Sequence, residues 1–179
     1  MRIVGGKWAG TDLTSPGGRV RPTAEDLRVR WMELLADRLE GARVLELYAG
    51  TGALGLEALS RGARSVDFLE SSPAALHSLK ANIATLRVAR RTRVFKRDAL
   101  RWVRRLEPGA YDLVLADPPY GSRQGDRLVE HWLEAPYSAV LSIEHAADHK
   151  LPGGGRSHPL GDSRITIYRA GDAAGGGTP

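Results

Sequence analysis

The sequence predicts an α/β chain built on a mostly parallel sheet with helices on both faces. Three observations lead there. From Arg43 onward, short apolar and β-rich runs alternate with segments of helical periodicity; a glycine turn, Gly50-Thr51-Gly52, follows the first run and opens a helix; and a later run, Tyr111 to Ala116, ends in Asp117-Pro118-Pro119-Tyr120. Alternation of this kind calls for parallel strands joined by right-handed crossovers. Ligands in such sheets gather at the carboxyl ends of the strands, where both motifs fall.

Taken in order, strands are predicted at Arg43 to Tyr48, Ser65 to Glu70, Thr92 to Lys96, Tyr111 to Ala116 and Ser138 to Glu144. The segments Ala53 to Arg61, Pro73 to Leu86, Ala99 to Leu106 and Gln124 to Leu133 carry apolar residues at helical spacing. Upstream, a short hairpin is expected around Gly5 to Leu13. After an Arg21-Pro22 break, Thr23 is placed to cap a helix through Leu27, Trp31, Leu34 and Leu35. Downstream, Leu151-Pro152-Gly153-Gly154-Gly155 reads as a turn-rich loop, and Arg164 to Arg169 as a final, antiparallel strand. The expected division is an N-terminal hairpin and helix over 1–40, covering an edge of the sheet, one domain over 41–170, and a glycine-rich disordered tail over 171–179.

Composition narrows the function. The 179 residues, 42% of them hydrophobic, suffice for one domain with its own core. With no cysteine, disulfides and thiolate metal sites are excluded. Apolar runs fall well short of the roughly 20 residues of a membrane span, and Met1 to Lys7 has no signal-peptide core, so no membrane association and a cytoplasmic location are expected. A net charge of +5 and a pI near 9.9 favour a polyanionic partner. Nine basic residues (Arg87, Arg90, Arg91, Arg93, Lys96, Arg97, Arg101, Arg104 and Arg105) stand against the single acid Asp98, a stretch able to track a sugar-phosphate backbone or to form a solvated face.

Gly50-Thr51-Gly52-Ala53-Leu54-Gly55 matches a nucleotide-binding glycine pattern, where backbone approaches a ligand without an intervening Cβ. Glu46, in the strand before it, would repel a pyrophosphate but suits the ammonium and sulfonium groups of S-adenosylmethionine, which is the cofactor expected. Tyr48, Ala49, Gly50, Thr51 and Gly52 form the cradle, and Glu70, at the next strand end, is placed for the ribose hydroxyls. Asp98 is placed for an adenine amino group beside the Ala99 N–H, although Asp98 is equally a helix cap and Glu70 a surface acid.

The second motif suits an aryl amine, a poor nucleophile because its lone pair is delocalised. Asp117 and the Pro118 carbonyl are two acceptors for its N–H groups, steering the nitrogen toward tetrahedral geometry. Pro118 and Pro119 stiffen the turn, and Tyr120 offers a face for a flipped base. Asp117 thus belongs to both ends of the site. Glu144-His145 and Asp148-His149 lack metal-ligand spacing, so no metal is expected, and Trp31 and Trp132 read as packing residues.

Met1-Arg2-Ile3-Val4-Gly5-Gly6-Lys7, Arg21-Pro22-Thr23, the block Leu45 to Ala63 and Asp117-Pro118-Pro119-Tyr120 resemble the RsmD family of bacterial small-subunit ribosomal RNA guanine-N2 methyltransferases over nearly the whole chain to Tyr168. The resemblance implies a class I S-adenosylmethionine-dependent methyltransferase (Rossmann-like) fold, seven mostly parallel strands with a reversed last hairpin. It implies a guanine of 16S ribosomal RNA as target, in the small subunit or its assembly intermediate, and puts Glu46, Gly50, Gly52, Glu70 and Asp98 on cofactor-binding positions. Where the family continues after Arg-Pro-Thr with D-R-V-R-E-x-L-F-N, this chain has Glu25-Asp26-Leu27-Arg28-Val29-Arg30-Trp31-Met32-Glu33, a segment expected to meet substrate RNA. A monomer is the default.

Competing readings are amino methylation of adenine or cytosine in DNA or another RNA, a nicotinamide-dependent oxidoreductase using the same glycine turn, and a non-enzymatic RNA-binding assembly factor. The oxidoreductase would need a hydride-transfer acid such as a paired Tyr and Lys, which the sequence does not display.

Overall fold

The computed structural model describes residues 1–15 and 22–171, with backbone alone for 22–24; Arg21 and the tail from 172 on, with the disorder expected there, lie outside the described residues. Five parallel strands form the body of the sheet: β1 (Arg43–Leu47), β2 (Ser65–Leu69), β3 (Thr92–Phe95), β4 (Tyr111–Ala116) and β5 (Ser138–Ala146). A C-terminal hairpin, β6 (Arg156–Leu160) and β7 (Ser163–Arg169), joins antiparallel through β7 to β5, giving the order β3-β2-β1-β4-β5-β7-β6. The order reverses between β1 and β4, the switch point at which doubly wound sheets open a ligand crevice.

β6 is the strand the residue patterns do not show. It is short, mostly solvent-facing and contains Pro159, which an edge strand tolerates because its missing N–H would have faced away from the ladder.

Among the described residues five α-helices cover the sheet: α1 (Pro22–Leu34), α2 (Ala53–Ser60), α3 (Pro73–Thr85), α4 (Ala99–Val103) and α5 (Gln124–Glu134). Strand residues alternate between two cores. Val44, Val66, Phe68, Leu113, Leu115, Val140, Ile165 and Ile167 pack with α1, α2 and α3 residues; Leu45, Leu47, Leu69, Val114, Ala116, Leu141, Ile143 and Tyr168 pack with α4 and α5 residues. Burial on both faces is why β1, β2, β4 and β5 read as mainly apolar runs rather than strict alternation. Trp31 donates to Ser142 Oγ at 2.6 Å, and Trp132 to the Ser138 carbonyl and hydroxyl, so both indoles serve packing. Among the described residues no helix is long and apolar enough to cross a membrane.

α1 begins at Pro22, so Thr23 lies inside its first turn rather than before it; a proline is tolerated there because the first N–H groups lack intrahelical partners. The N-terminal segment folds back as expected, with Ile3 N donating to Thr11 O at 2.9 Å and Leu13 N to Met1 O at 2.7 Å around a 3-10 turn at Gly6–Trp8. It is riveted by Glu57 of α2, fully buried, which accepts from Val4 N at 2.8 Å, Gly5 N at 2.7 Å and Arg61 Nε at 2.8 Å.

Within the divergent segment expected to meet RNA, Arg28 is buried. It is 3% exposed, 3.7 Å from Glu57, and donates to the Arg2 carbonyl at 2.7 Å. An isolated buried carboxylate is costly, so Glu57 needs the two guanidiniums and two backbone donors. Arg28 therefore faces the protein.

Candidate active site

The two motifs leave adjacent strands at one edge of the sheet. Glu46 and Leu47 of β1 lie beside Leu115 and Ala116 of β4 in parallel register, so Tyr48 and Asp117 emerge side by side. Had these strand ends opened onto different surfaces, chemistry shared between them would have been impossible.

At the β1 end, Tyr48 adopts φ +58, uncommon for a non-glycine residue, and turns the chain into Ala49-Gly50-Thr51-Gly52. The glycines serve different ends. At Gly52, φ +75, a Cβ would run into Leu79 Cδ1 of α3, and at Gly55 it would stand 2.6 Å from Glu46 Oε2 and 2.7 Å from Phe68 Cε1, so Gly52 makes room for α3 and Gly55 lets α2 sit close to the sheet. At Gly50, φ +54, a Cβ would meet nothing within 4 Å: open space over bare backbone, a cradle for a ligand. Asn82 of α3, fully buried, ties the Thr51 carbonyl to Thr14 with bonds of 2.7 to 3.0 Å.

The acids around this turn are largely engaged by the protein. Glu46, expected at the cofactor, is engaged by the protein. It is 3% exposed and accepts from Gly55 N at 2.8 Å at the start of α2. Burial pushes its carboxyl up to about 8, the Gly55 N–H offsetting only part of the shift. Glu70 accepts from Gly50 N, Ser71 N and Ser72 N, each at 2.7 Å, clasping the glycine turn to the end of β2. Asp98, exposed, caps α4 through Arg101 N at 2.8 Å, and among the described residues its second oxygen takes no hydrogen bond. The Tyr48 hydroxyl is buried without a hydrogen-bond partner. The open glycine, the half-used Asp98 and the orphaned hydroxyl fit a nucleoside-bearing cofactor.

At the β4 end the polar groups are less committed. Asp117 directly precedes Pro118 in the wall of a cavity of about 220 Å³ that Pro119, Tyr120, Gly121, Glu144 and His149, among others, also line. Although Asp117 is exposed, crowding by the surrounding protein and then the charge of Glu144 raise its carboxyl to about 7. No backbone donor among the described residues takes the Pro118 carbonyl. Tyr120 is 57% exposed and donates its hydroxyl to Glu144 Oε1 at 2.6 Å. Gly121, Ser122 and Arg123 wall the cavity, and α5 begins at Gln124, where the periodicity predicts it.

Glu144, near the end of β5, is the residue that sequence reasoning passed over, having weighed it only as a metal ligand beside His145. His145 Nε2 instead lies 2.8 Å from Thr166 Oγ1, and His149 Nε2 2.8 Å from Asp126 Oδ1; among the described residues no group of three such side chains could hold a metal ion. The available signal was an acid ending the parallel strand next to the motif strand.

The basic run splits. Arg93 grips buried Asp67 at 2.8 and 2.5 Å, and Arg91 donates to the Ala63 and Arg64 carbonyls. Lys96 and Arg97 are exposed at the carboxyl edge beside Asp98, and Arg101, Arg104 and Arg105 are exposed on or just after α4.

A family model described as "Conserved hypothetical protein 95" matches residues 1–163. Ribosomal RNA small subunit methyltransferase D of Escherichia coli K12 is 37% identical over 85% of this chain and 78% of its own length. A solved Escherichia coli chain, provisionally named a methyltransferase, superimposes with a TM-score of 0.81 at 28% identity, covering 94% of this chain and 97% of that one. A Thermus thermophilus 16S rRNA N2 G1207 methyltransferase, solved with AdoMet and guanosine, shares the fold at a TM-score of 0.65 and 19% identity, over 86% of this chain and 44% of its own. With its seven-stranded Rossmann-like sheet, glycine turn and Asp-Pro-Pro-Tyr turn on one edge, the chain belongs to the conserved hypothetical protein 95 family, the RsmD family of methyltransferases.

Proposed function

We propose that the protein transfers a methyl group from S-adenosylmethionine to the exocyclic 2-amino group of a guanine in 16S ribosomal RNA, in the small subunit or its assembly intermediate. The observation that carries this reading is the emergence of the open glycine turn and the Asp117-Pro118 acceptors from neighbouring strands β1 and β4. When bound, the cofactor supplies an electrophilic methyl group on a sulfonium. Gly50 backbone, Glu70, Asp98 and Ala99 hold its nucleoside part, with Tyr48 close by.

The chain's own part in the chemistry is positioning. Asp117 and the Pro118 carbonyl each accept one N–H of the amine, turning its lone pair out of conjugation and toward the methyl donor. Asp117, ionised above about pH 7, stabilises the positive charge that grows on the nitrogen and takes the proton released once the N–C bond has formed. The half-exposed Tyr120 ring offers the stacking surface, and exposed Lys96 and Arg97 lie at the same edge for phosphates.

Nucleoside mass spectrometry of small-subunit ribosomal RNA from cells with and without the protein tests this reading. Loss of one N2-methylguanosine without the protein, restored by adding protein and cofactor, is expected. Loss of a methylated adenine or cytosine instead would shift the function to another amine.

A further inference from the structure

Three bases carry an exocyclic amine, and what sits beside that amine differs. In adenine and cytosine the neighbouring ring nitrogen is a lone-pair acceptor; in guanine the 2-amino group lies beside N1–H, a donor. A fixed acceptor next to the group that grips the amine therefore attracts guanine and repels the other two.

Such an acceptor stands in the cavity. Ala116 of β4 is paired with Ile143 of β5, so the next residues, Asp117 and Glu144, stand side by side, Asp117 just past the end of β4 and Glu144 still within β5. Glu144 is 7% exposed and lines the cavity with Pro118, Pro119 and Tyr120. Its Oε1 is held by the Tyr120 hydroxyl at 2.6 Å, and among the described residues no other donor bonds its carboxylate. A buried carboxylate with an unused oxygen in a cavity is costly unless something donates to it. The neighbouring imidazoles are engaged elsewhere, His145 with Thr166 and His149 with Asp126.

We propose that Glu144 is the base-reading residue: its unused oxygen accepts the N1–H of the target guanine while Asp117 and Pro118 hold the 2-amino group. The assignment rests on the methyl-transfer reading above and adds to it the reason for guanine. One carboxylate then serves two tasks, fixing the Tyr120 ring through one oxygen and reading the base edge through the other.

The test uses 2-aminopurine, which keeps the 2-amino group and N3 but has an unprotonated N1. Small-subunit RNA from ligated segments carries either guanosine or 2-aminopurine riboside at the position found by mass spectrometry, and methyl transfer from tritiated S-adenosylmethionine is compared for wild type, Glu144→Gln and Glu144→Asp. Wild type is expected to prefer guanosine by roughly 10- to 100-fold in kcat/KM, the range of a good base-edge contact. In Glu144→Gln the preference collapses toward unity, because the amide can also donate to an unprotonated N1; in Glu144→Asp, which keeps an acceptor, guanosine remains preferred. Cofactor affinity within a few-fold of wild type monitors folding in each variant.

An unchanged preference in Glu144→Gln would overturn the assignment, as would a Glu144→Asp variant that binds cofactor but has lost the preference. A Glu144→Gln protein that binds cofactor yet methylates neither substrate would overturn it too, giving Glu144 a purely structural task. Each of these outcomes leaves wild-type guanine methylation standing, whereas a wild type that methylates no guanine removes the underlying reading and this inference together.

Discussion

The ends of β1 and β4 lie side by side and are built on opposite plans. At the β1 end nearly every polar group is already bonded: Glu46 to Gly55, Glu70 to three backbone N–H groups, Asp98 to Arg101, Asn82 to Thr51. At the β4 end, Asp117 and the Pro118 carbonyl are open, and Glu144 holds only Tyr120. A cofactor that returns every turnover is served by a rigid cradle made of backbone. A substrate base that must be gripped and released is served by acceptors whose partners arrive with it.

The contrast is sharpened most by Asp117→Ala, expected to lower kcat about 100- to 1,000-fold, the scale of one preorganised polar group, while calorimetric affinity for S-adenosylmethionine stays within a few-fold. Near-normal turnover would remove the open carboxylate from the mechanism. In the wild type, transfer should rise with pH through about 7 and level off above it, as Asp117 ionises.

Next in size is Gly52→Ala. A Cβ there meets Leu79 and forces φ +75 on an L-residue, so a stability loss of about 2–4 kcal/mol is expected in denaturant titration. Gly50→Ala, where the space is open, should cost only about 1–2 kcal/mol of stability but weaken cofactor binding. Equal effects of the two changes on stability would break the distinction between a packing glycine and a cradle glycine.

Glu46 gives a pH-dependent effect. Its carboxyl titrates near 8 when folded and near 4.5 when exposed, so between those values the unfolded chain binds fewer protons. Stability from this group is therefore full below about 4.5 and declines as pH rises toward 8. Glu46→Gln should flatten that decline when unfolding free energies at pH 5 and pH 8 are compared; an unaltered slope would mean that the acid is solvated. Smallest is Asp98→Ala, expected to cost about 1 kcal/mol as a lost helix cap, with any added loss of cofactor affinity measuring its second oxygen.

Much of the fold could be read from periodicity: the parallel strands end within two residues of their expected limits because burial on both faces writes mainly apolar runs into the sequence. β6 could not, since an edge strand with Pro159 and solvent-facing residues leaves no such run. Arg28 misled for a related reason. A charged residue in a polar segment reads as surface, and only Glu57, 29 positions later, makes its burial tolerable.

The motifs were legible because backbone chemistry at a turn is local: glycines adopt positive φ and prolines stiffen wherever they stand. From sequence alone came the sheet's alternation, the paired turns and their order along the chain. What only the tertiary structure decided was which acids are bonded by the protein and which line the cavity. Glu46 turns inward to α2 while Glu144 opens onto the cavity, and that choice depends on which strands are neighbours and in what register, contacts between residues as distant as Glu46, Asp117 and Glu144 that no local pattern encodes.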